Sequence, residues 1–312
     1  MTAPRETILV VAPIPQDLRE ALASTYDLVE DRAADGTRPG FLIAVTTAMA
    51  GAGAALFDRL PDLRMIASQG TGLERLDLDA AAQRGIAVAY TPDVMTEDVA
   101  DFAIGLMYAS ARRIAEADRF VRAGRWMRER MAPATSLHRK TMGIAGMGRI
   151  GQALARRAAG LGMGVAWTGP RDKPGLPWRF LPDLRALAET SDVLVITAPG
   201  GTATDQMVNA AVLAALGPRG ILVNVARGSV VDEAALLATL ESGGIAAAGL
   251  DVFATEPALD PRFLALENVV LAPHYASLTR ETRAALIARI LDDIAAFRAG
   301  RPFLNAANLT PA

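Results

Sequence analysis

The segment Thr141-Met-Gly-Ile-Ala-Gly-Met-Gly-Arg-Ile-Gly151 decides the fold of the larger part of this chain. Its first five residues predict a short buried strand, and the small and apolar residues of Ile150 to Ala159 predict a helix. Val165-Ala-Trp-Thr168 then predicts a second, parallel strand. A glycine-rich turn that leaves one strand and opens a helix is the context in which a G-x-G-x-x-G pattern becomes informative.

Each glycine of this pattern has a physical task in a dinucleotide-binding unit. Gly146 permits the tight turn, Gly148 lets the backbone approach a pyrophosphate, and Gly151 lets the helix and the strand pack closely. The helix N-terminus adds N–H groups and a partial positive charge for the phosphates. The pattern therefore predicts dinucleotide binding; the alternative is a glycine turn that serves packing alone.

The end of the second strand bears on which dinucleotide binds. NAD sites usually carry Asp or Glu there, bonded to the adenosine ribose, whereas a nearby Arg accommodates a 2′-phosphate. Here the sequence is Thr168-Gly-Pro-Arg-Asp-Lys173, with no acid at the strand tip and with Arg171 close behind. NADP(H) is therefore favoured, with Thr168, Gly169 and Arg171 at its ribose. NAD(H) stays possible, because Asp172 weakens the positive field.

Three later segments each end an apolar run with one chemically active side chain. They are Asn224-Val-Ala-Arg-Gly-Ser-Val-Val-Asp232, Gly249-Leu-Asp-Val-Phe-Ala-Thr-Glu-Pro257 and Leu271-Ala-Pro-His-Tyr-Ala-Ser277. The guanidinium of Arg227 suits a carboxylate and its adjacent carbonyl.

Two of these side chains suit acid–base chemistry. His274 can give a proton to a carbonyl oxygen as hydride reaches carbon. A carboxylate at Glu256 beside it favours the imidazolium. We therefore predict Arg227, Glu256 and His274 as catalytic residues; the alternative for each, taken singly, is a structural role. The other histidine, His138, lacks this context and is assigned to a linker or the surface.

Composition limits the function classes. The 312 residues favour two domains, and 51% hydrophobic residues suffice for buried cores. The formal net charge of −2 lacks the excess of positive charge that is typical of nucleic-acid-binding proteins. No stretch predicts a membrane span or a signal peptide. The lack of cysteine excludes disulfides, no cluster has metal-ligand spacing, and the chain fits a cytoplasmic protein.

Alternating strand and helix signals predict the fold class: α/β, with two doubly wound domains. Before Pro92, strands at Thr7–Ala12, Phe41–Thr46, Arg64–Ser68 and Ile86–Tyr90 alternate with short helices and predict a flavodoxin-like substrate domain. The sheet of the Rossmann dinucleotide-binding domain continues through Val193–Thr197, Ile221–Val225, Ala247–Leu250 and Val269–Leu271. The last helix returns to the first domain, so the predicted limits are 1–96 plus 283–312 for the substrate domain and 97–282 for the Rossmann domain.

The stretch from Thr96 to Met131 has its own pattern. The helical spacing of its apolar residues predicts a long buried helix, and the later part of this stretch is basic. The apolar residues are Val99, Phe102, Ala103, Leu106, Met107 and Ile114. Trp126, farther along, is a candidate for a substrate pocket, although interfaces are enriched in Trp for other reasons.

With these motifs in their observed order, the chain resembles the D-isomer-specific 2-hydroxyacid dehydrogenase family, and within it the glyoxylate/hydroxypyruvate reductases. The resemblance also covers Ser68-Gln-Gly-Thr-Gly-Leu-Glu-Arg-Leu-Asp77 and Thr96-Glu-Asp-Val-Ala-Asp101. It implies reduction of a small 2-oxo acid to the D-2-hydroxy acid, with backbone N–H groups of Thr71 and Gly72 and the side chain of Arg227 binding the substrate.

The resemblance further implies residues at the cofactor and a partner. Asp251 would receive the nicotinamide carboxamide, Thr96 would lie near the phosphates, and Pro199 and Thr204 would border the adenine. Arg149, Ile150, Val225, Ala226 and His274 are assigned to the cofactor site with them. A homodimer through residues 97–131 is also implied.

Two other functions stay open at this point. One is the same chemistry on a bulkier 2-oxo acid, such as an aromatic or branched pyruvate. The other is a dinucleotide-sensing binding protein without turnover, because sensing relatives can keep the same residues. Glu256 argues against formate dehydrogenase chemistry, which uses Gln at that place in the family.

Overall fold

The computed structural model describes residues 5–31, 36–302 and 305–308. In these ranges the strands are β1 (Thr7–Val10), β2 (Asp27–Glu30), β3 (Ile43–Thr47), β4 (Met65–Gln69), β5 (Ala87–Ala89), β6 (Thr141–Ala145), β7 (Gly164–Thr168), β8 (Arg179–Phe180), β9 (Val193–Ile196), β10 (Ile221–Asn224), β11 (Ala247–Leu250) and β12 (Val269–Leu271). The helices are α1 (Gln16–Ala23), α2 (Ala54–Arg59), α3 (Leu78–Gln83), α4 (Thr96–Ala111), α5 (Ile114–Arg122), α6 (Arg149–Gly160), α7 (Leu184–Glu189), α8 (Ala210–Leu216), α9 (Glu233–Glu241) and α10 (Arg280–Arg298). The chain forms two compact units, Met1–Val94 with Thr279–Ala312, and Met95–Leu278.

The second unit is built on a seven-stranded parallel sheet in the order β12-β11-β10-β9-β6-β7-β8. Counted from β6, this is the Rossmann order 3-2-1-4-5-6 with one further strand at the far edge. The central strands β9 and β10 are buried along their whole length, as expected for strands covered by helices on both faces. Apolar clusters fill the space on the two faces and hold α4 and α6 on one side.

The first unit carries a five-stranded parallel sheet in the order β2-β1-β3-β4-β5. This is the flavodoxin-like order 2-1-3-4-5. The C-terminal helix α10 packs on this sheet through Ile290 and Ile294, which are both buried. The α/β fold class with a Rossmann and a flavodoxin-like domain is therefore confirmed. The domain limits taken from the sequence stay a prediction.

The edges of both sheets contain strands that the sequence patterns do not indicate. β2 is polar at both ends and only partly buried, and β8 has two residues. Such short edge strands form because a neighbouring strand offers backbone partners, not because of an apolar pattern of their own.

The long helix predicted from Thr96 is wrong beyond Ala111. The helix is interrupted at Arg113, whose φ is +53°, and α5 then starts at Ile114. The carbonyl of Ala111 accepts the N–H of Thr135 at 3.0 Å, so a distant segment takes the bond that would continue the helix. Ile114, assigned above to a buried face, is 53% exposed.

No helix within the described ranges is long and apolar enough to cross a membrane.

Candidate active site

Most predicted site residues of the second unit lie in loops that leave the carboxyl ends of its strands. The strand ends are in register: Ala145 at the end of β6 pairs with Thr168 of β7 and Ile196 of β9, and Asn224 of β10 pairs with Ile196 and Leu250. In open parallel sheets, ligands bind beyond the carboxyl ends of the strands, at the point where the strand order reverses. That point here is between β6 and β9.

The glycine loop has the shape that its sequence predicts. Gly146 has φ +105°, and a Cβ on it would lie 2.6 Å from the backbone nitrogen of Ala198. A Cβ on Gly151 would overlap the carbonyl oxygen of Gly146. The hydroxyl of Thr197 donates to that same carbonyl oxygen at 2.5 Å, which fixes the turn against the neighbouring strand.

The space above the loop fits a pyrophosphate. Gly148 is exposed, and a Cβ on it would meet no atom within 4 Å, so a ligand can approach its backbone closely. Gly148 also caps α6 without a side-chain hydrogen bond. The start of α6 therefore lacks a side-chain cap at Gly148, and helix N-termini of this kind favour anions.

The tip of β7 combines a buried threonine with an exposed basic loop. Thr168 is 5% exposed, whereas Arg171, Asp172 and Lys173 are exposed. The ammonium of Lys173 donates to the carbonyl oxygen of Met147 at 2.7 Å, which places a cation against the glycine loop itself. Arg171, the residue predicted at the ribose phosphate, lies two residues before Lys173 in the same exposed loop.

A short loop after β9 joins two residues assigned to the adenine side. The hydroxyl of Thr204 donates to the carbonyl oxygen of Pro199 at 2.6 Å and lies 3.2 Å from that of Gly201. The loop is thereby closed on itself beside the glycine turn, since a Cβ on Gly146 would touch Ala198.

Arg227 is presented by a turn that the buried side chain of Asn224 organises. The Asn224 side-chain oxygen accepts the N–H of Ala226 at 3.0 Å, and its amide group donates to the carbonyl of Arg227 at 3.0 Å. The guanidinium of Arg227 bonds the carbonyl of Ala226 at 2.7 Å. Val225 and Ala226 are buried, whereas Arg227 is half-buried.

Asp251 holds the loop that carries His274. Its carboxylate is buried and accepts the N–H groups of Tyr275 at 2.6 Å and Ala276 at 3.0 Å, and its carbonyl accepts the N–H of His274 at 2.8 Å. Burial raises the pKa of the Asp251 carboxyl, and the two N–H donors oppose this change. His274 itself has φ +53°, a conformation that these bonds maintain.

The two side chains predicted to form an acid–base pair are in contact. Nδ1 of His274 lies 2.8 Å from Oε2 of Glu256, and the N–H of Phe253 donates to Oε1 of Glu256 at 2.9 Å. With Nδ1 facing the carboxylate, Nε2 is the ring nitrogen left for a substrate. The His274 side chain is 38% exposed, which leaves the ring accessible to a small molecule.

The substrate-binding residues predicted in the first unit follow its sheet. Thr71 and Gly72 lie in the loop just after β4. In this loop the N–H of Gly70 donates to the hydroxyl of the buried Thr91 at 2.9 Å. Within the described residues, neither Thr71 nor Gly72 donates its backbone N–H to a protein acceptor. In the second unit, Thr96 is the first residue of α4.

Residues 104–276 match the model of the D-isomer-specific 2-hydroxyacid dehydrogenase NAD-binding domain. This chain belongs to that family. The match includes the glycine loop together with Arg227, Glu256 and His274, and it makes the second unit the family's nicotinamide dinucleotide domain.

Relatives of this family match over nearly the whole chain. A 2-ketogluconate reductase of Gluconobacter oxydans is 41% identical over 96% of this chain and 97% of its own length. A glyoxylate/hydroxypyruvate reductase A of Arabidopsis thaliana is 37% identical over 96% of this chain and 97% of its own length. The structure of an NADPH-dependent glyoxylate/hydroxypyruvate reductase from Sinorhizobium meliloti, in complex with NADP and malonate, has a TM-score of 0.90, 38% identity and 97% coverage of both chains.

Proposed function

We propose that this protein reduces a small 2-oxo acid, glyoxylate or hydroxypyruvate, to the D-2-hydroxy acid with a nicotinamide dinucleotide as reductant. The observation that carries the proposal is the 2.8 Å contact of Nδ1 of His274 with Glu256, on loops that leave the carboxyl ends of a Rossmann sheet. Such a pair supplies the proton for a carbonyl reduction. Relatives named as glyoxylate reductases support the substrate class.

Arg227 is the cation that binds the substrate in this proposal. It contributes its planar fork of donors to the carboxylate and the carbonyl oxygen. The backbone N–H groups of Thr71 and Gly72, in the first unit, stay predicted partners of the carboxylate. Polarisation of that carbonyl by Arg227 stabilises the negative charge that develops on its oxygen.

His274 then completes the reaction. When bound, the reduced nicotinamide would supply the hydride for C2 of the substrate. His274, as imidazolium, gives the proton on Nε2 to the carbonyl oxygen, and Glu256 holds the ring through Nδ1 and stabilises its charge. In the oxidative direction neutral His274 takes the proton back.

NADPH is the preferred reductant in this proposal. The cations of the loop after β7 include Arg171 and Lys173, and Lys173 touches the carbonyl of Met147 in the glycine loop. No acidic residue stands at positions 168–170 to bond the ribose hydroxyls or to repel a 2′-phosphate. The NADP-bound relative from Sinorhizobium meliloti supports the same preference.

Gly169→Asp is expected to shift the preference towards NADH. A Cβ on Gly169 would meet only ring carbons of Trp167, at 3.4 and 3.9 Å, so a Cβ is accommodated at this position. Two negative charges about 4 Å apart near a protein surface repel by about 4 kcal/mol. We therefore expect the ratio of kcat/KM for NADPH to that for NADH to fall by at least about tenfold, measured by steady-state kinetics with each cofactor.

The matched control is Gly169→Asn, which has the same shape without the charge. It is expected to keep most of the preference for NADPH. An unchanged ratio in Gly169→Asp would show that residue 169 does not face the 2′-position.

A bulkier 2-oxo acid is the second candidate substrate, and the names of two relatives favour it. One relative of 41% identity is a 2-ketogluconate reductase, and another of 41% identity is a hydroxyphenylpyruvate reductase. Initial rates with glyoxylate, hydroxypyruvate, 2-ketogluconate and phenylpyruvate decide between the two. The highest kcat/KM for the small acids supports the proposal, and the highest for either large acid transfers the assignment. Binding of NADPH without turnover of any of them would indicate the non-enzymatic sensor.

The region predicted to form a homodimer exposes apolar side chains. Ile114, Val121, Trp126 and Met127 are 53%, 54%, 58% and 83% exposed. Beside them, α4, α5 and the amino ends of β10–β12 line an open cavity of about 380 Å³. We propose that a second copy of this chain covers this surface, since large exposed apolar patches mark protein interfaces. Whether Trp126 reaches a substrate pocket stays a prediction.

Charged residues at this surface are expected to separate the dimer. In the variant Val121→Glu/Met127→Glu, two carboxylates replace two exposed apolar side chains. We expect the dissociation constant, measured by sedimentation velocity, to rise by at least about 100-fold, because a desolvated interface loses affinity when charges are left unpaired. Leu264→Glu, at a side chain 71% exposed outside the surface, is the control and should leave the assembly unchanged. A wild-type dissociation constant in the double variant would contradict the assignment.

A further inference from the structure

The turn that carries Glu256 is held at two successive backbone amides by two different carboxylates. The N–H of Phe253 donates to Glu256, and the next N–H, that of Ala254, donates to Oε2 of Glu233 at 2.8 Å. Glu233 is the first residue of α9, directly after Asp232, which caps that helix by accepting the N–H of Ala235 at 3.0 Å. The side chain of Glu233, which lies outside the three functional segments, therefore bonds the backbone of the turn that carries Glu256.

The turn has few other anchors. Residues 254–258 are exposed, and the hydroxyl of Thr255 bonds only within the turn, to the carbonyl of Ala258. Phe253 is buried and packs edge-on against Phe263, with ring centroids 5.8 Å apart. Beyond this apolar contact at one end, the carboxylate of Glu233 fixes the backbone between Phe253 and Glu256.

A second, close contact joins this turn to the segment of Arg227. Gly228 lies so close to the carbonyl of Phe253 and the nitrogen of Ala254 that a Cβ on it would overlap them. Glu233, five residues further along, bonds the same Ala254. The turn of Glu256 is thus held by a close backbone approach of Gly228, in the segment of Arg227, and by one charge-assisted hydrogen bond to Glu233, just beyond that segment.

We propose that Glu233 is a positioning residue for the Glu256–His274 pair. By holding the N–H of Ala254 it orients the turn so that one oxygen of Glu256 accepts from Phe253 and the other faces Nδ1 of His274. Its carboxylate bonds the backbone of the turn, so its effect on the reaction passes through Glu256. The inference rests on the proposed function for its kinetic consequence only.

Three variants test the kinetic consequence. Glu233→Ala removes the acceptor, Glu233→Gln keeps an oxygen that can accept the same bond, and Glu241→Ala removes a carboxylate from the other end of α9. We expect kcat for glyoxylate to fall about tenfold in Glu233→Ala, since small displacements of catalytic groups cost up to about 100-fold. KM for glyoxylate and for NADPH should stay within about twofold. Glu233→Gln should recover most of kcat, and Glu241→Ala should have the kcat and KM of the wild-type protein.

A spectroscopic measurement tests the geometry independently of turnover. The chain has two histidines, His138 and His274, so the ring ¹⁵N signals of histidine-labelled protein can be assigned with few variants. In Glu233→Ala the signals of His274 should move towards those of Glu256→Gln, while those of His138 stay in place. His274 signals unchanged in Glu233→Ala would overturn the inference, as would wild-type kcat in that variant or a Glu233→Gln as slow as the alanine variant. No turnover by the unchanged chain, with the His274 shift present, would overturn the proposed function and support the positioning role.

Discussion

His274→Ala is expected to lower kcat for glyoxylate by between about 10²-fold and 10⁴-fold, the range that a positioned general acid contributes. The loss follows from the geometry, because Nδ1 of His274 is bound to Glu256 and Nε2 is the nitrogen that can deliver the proton. NADPH affinity, measured by fluorescence titration, should change little, since the glycine loop and the basic loop after β7 are untouched. Wild-type turnover in this variant would exclude His274 as the acid.

Two further measurements separate chemistry from backbone effects. Asparagine tolerates positive φ better than most residues, so His274→Asn keeps the loop conformation at φ +53° while removing the acid. It should be as slow as His274→Ala. Because the His274 side chain is 38% exposed, added imidazole can reach the vacated space and should restore part of kcat in the alanine variant. Recovery of activity in His274→Asn alone would point to loop strain as the cause.

Gly228→Ala is expected to have the second-largest effect, on both stability and activity. Its Cβ would overlap the carbonyl group of Phe253, and the obstacle is backbone, which cannot turn aside as a side chain can. Overpacking of this kind typically costs about 1–3 kcal/mol, and we expect about 3 kcal/mol because two loops must separate. Since the loops carry Arg227 and Glu256, kcat/KM should fall by about 100-fold.

Gly160→Ala is the matched control. Gly160 ends α6, is exposed, and a Cβ on it would meet no atom within 4 Å. This variant should keep wild-type activity and gain up to about 1 kcal/mol in the free energy of unfolding, because alanine is the better helix former. Urea unfolding and steady-state kinetics of both variants provide the comparison. A Gly228→Ala protein with unchanged stability would show that the two loops can move apart at little cost.

Much of the site could be predicted from the sequence because its signals are local. The strand–turn–helix around Gly146, Gly148 and Gly151 has a fixed spacing that determines its own backbone shape. Arg227, Glu256 and His274 each follow an apolar strand, and parallel strands present their carboxyl ends at one edge of a sheet. The pairing of His274 with Glu256 could therefore be expected from residue types and strand order.

Other groups at the site have no such signal. Asn224 lies inside a strand-like run, Glu233 opens an ordinary helix, and Lys173 is one of several loop charges. Asn224 organises the turn of Arg227, Glu233 bonds Ala254, and Lys173 bonds Met147. The partners of Glu233 and Lys173 lie more than twenty residues away along the chain, so sequence spacing cannot indicate them.

The sequence by itself determined the α/β class, the dinucleotide loop and the residue types of the acid–base pair, because hydrophobic periodicity and glycine spacing act over a few residues. Only the tertiary structure decided the edge strands β2 and β8, the end of α4 at Ala111 and the clamp between the loops of Arg227 and Glu256. These features depend on hydrogen bonds between backbone groups and distant parts of the chain. The N–H of Thr135 donates to the carbonyl of Ala111, and the N–H of Ala254 donates to the carboxylate of Glu233. Such long-range choices follow from how the whole chain packs.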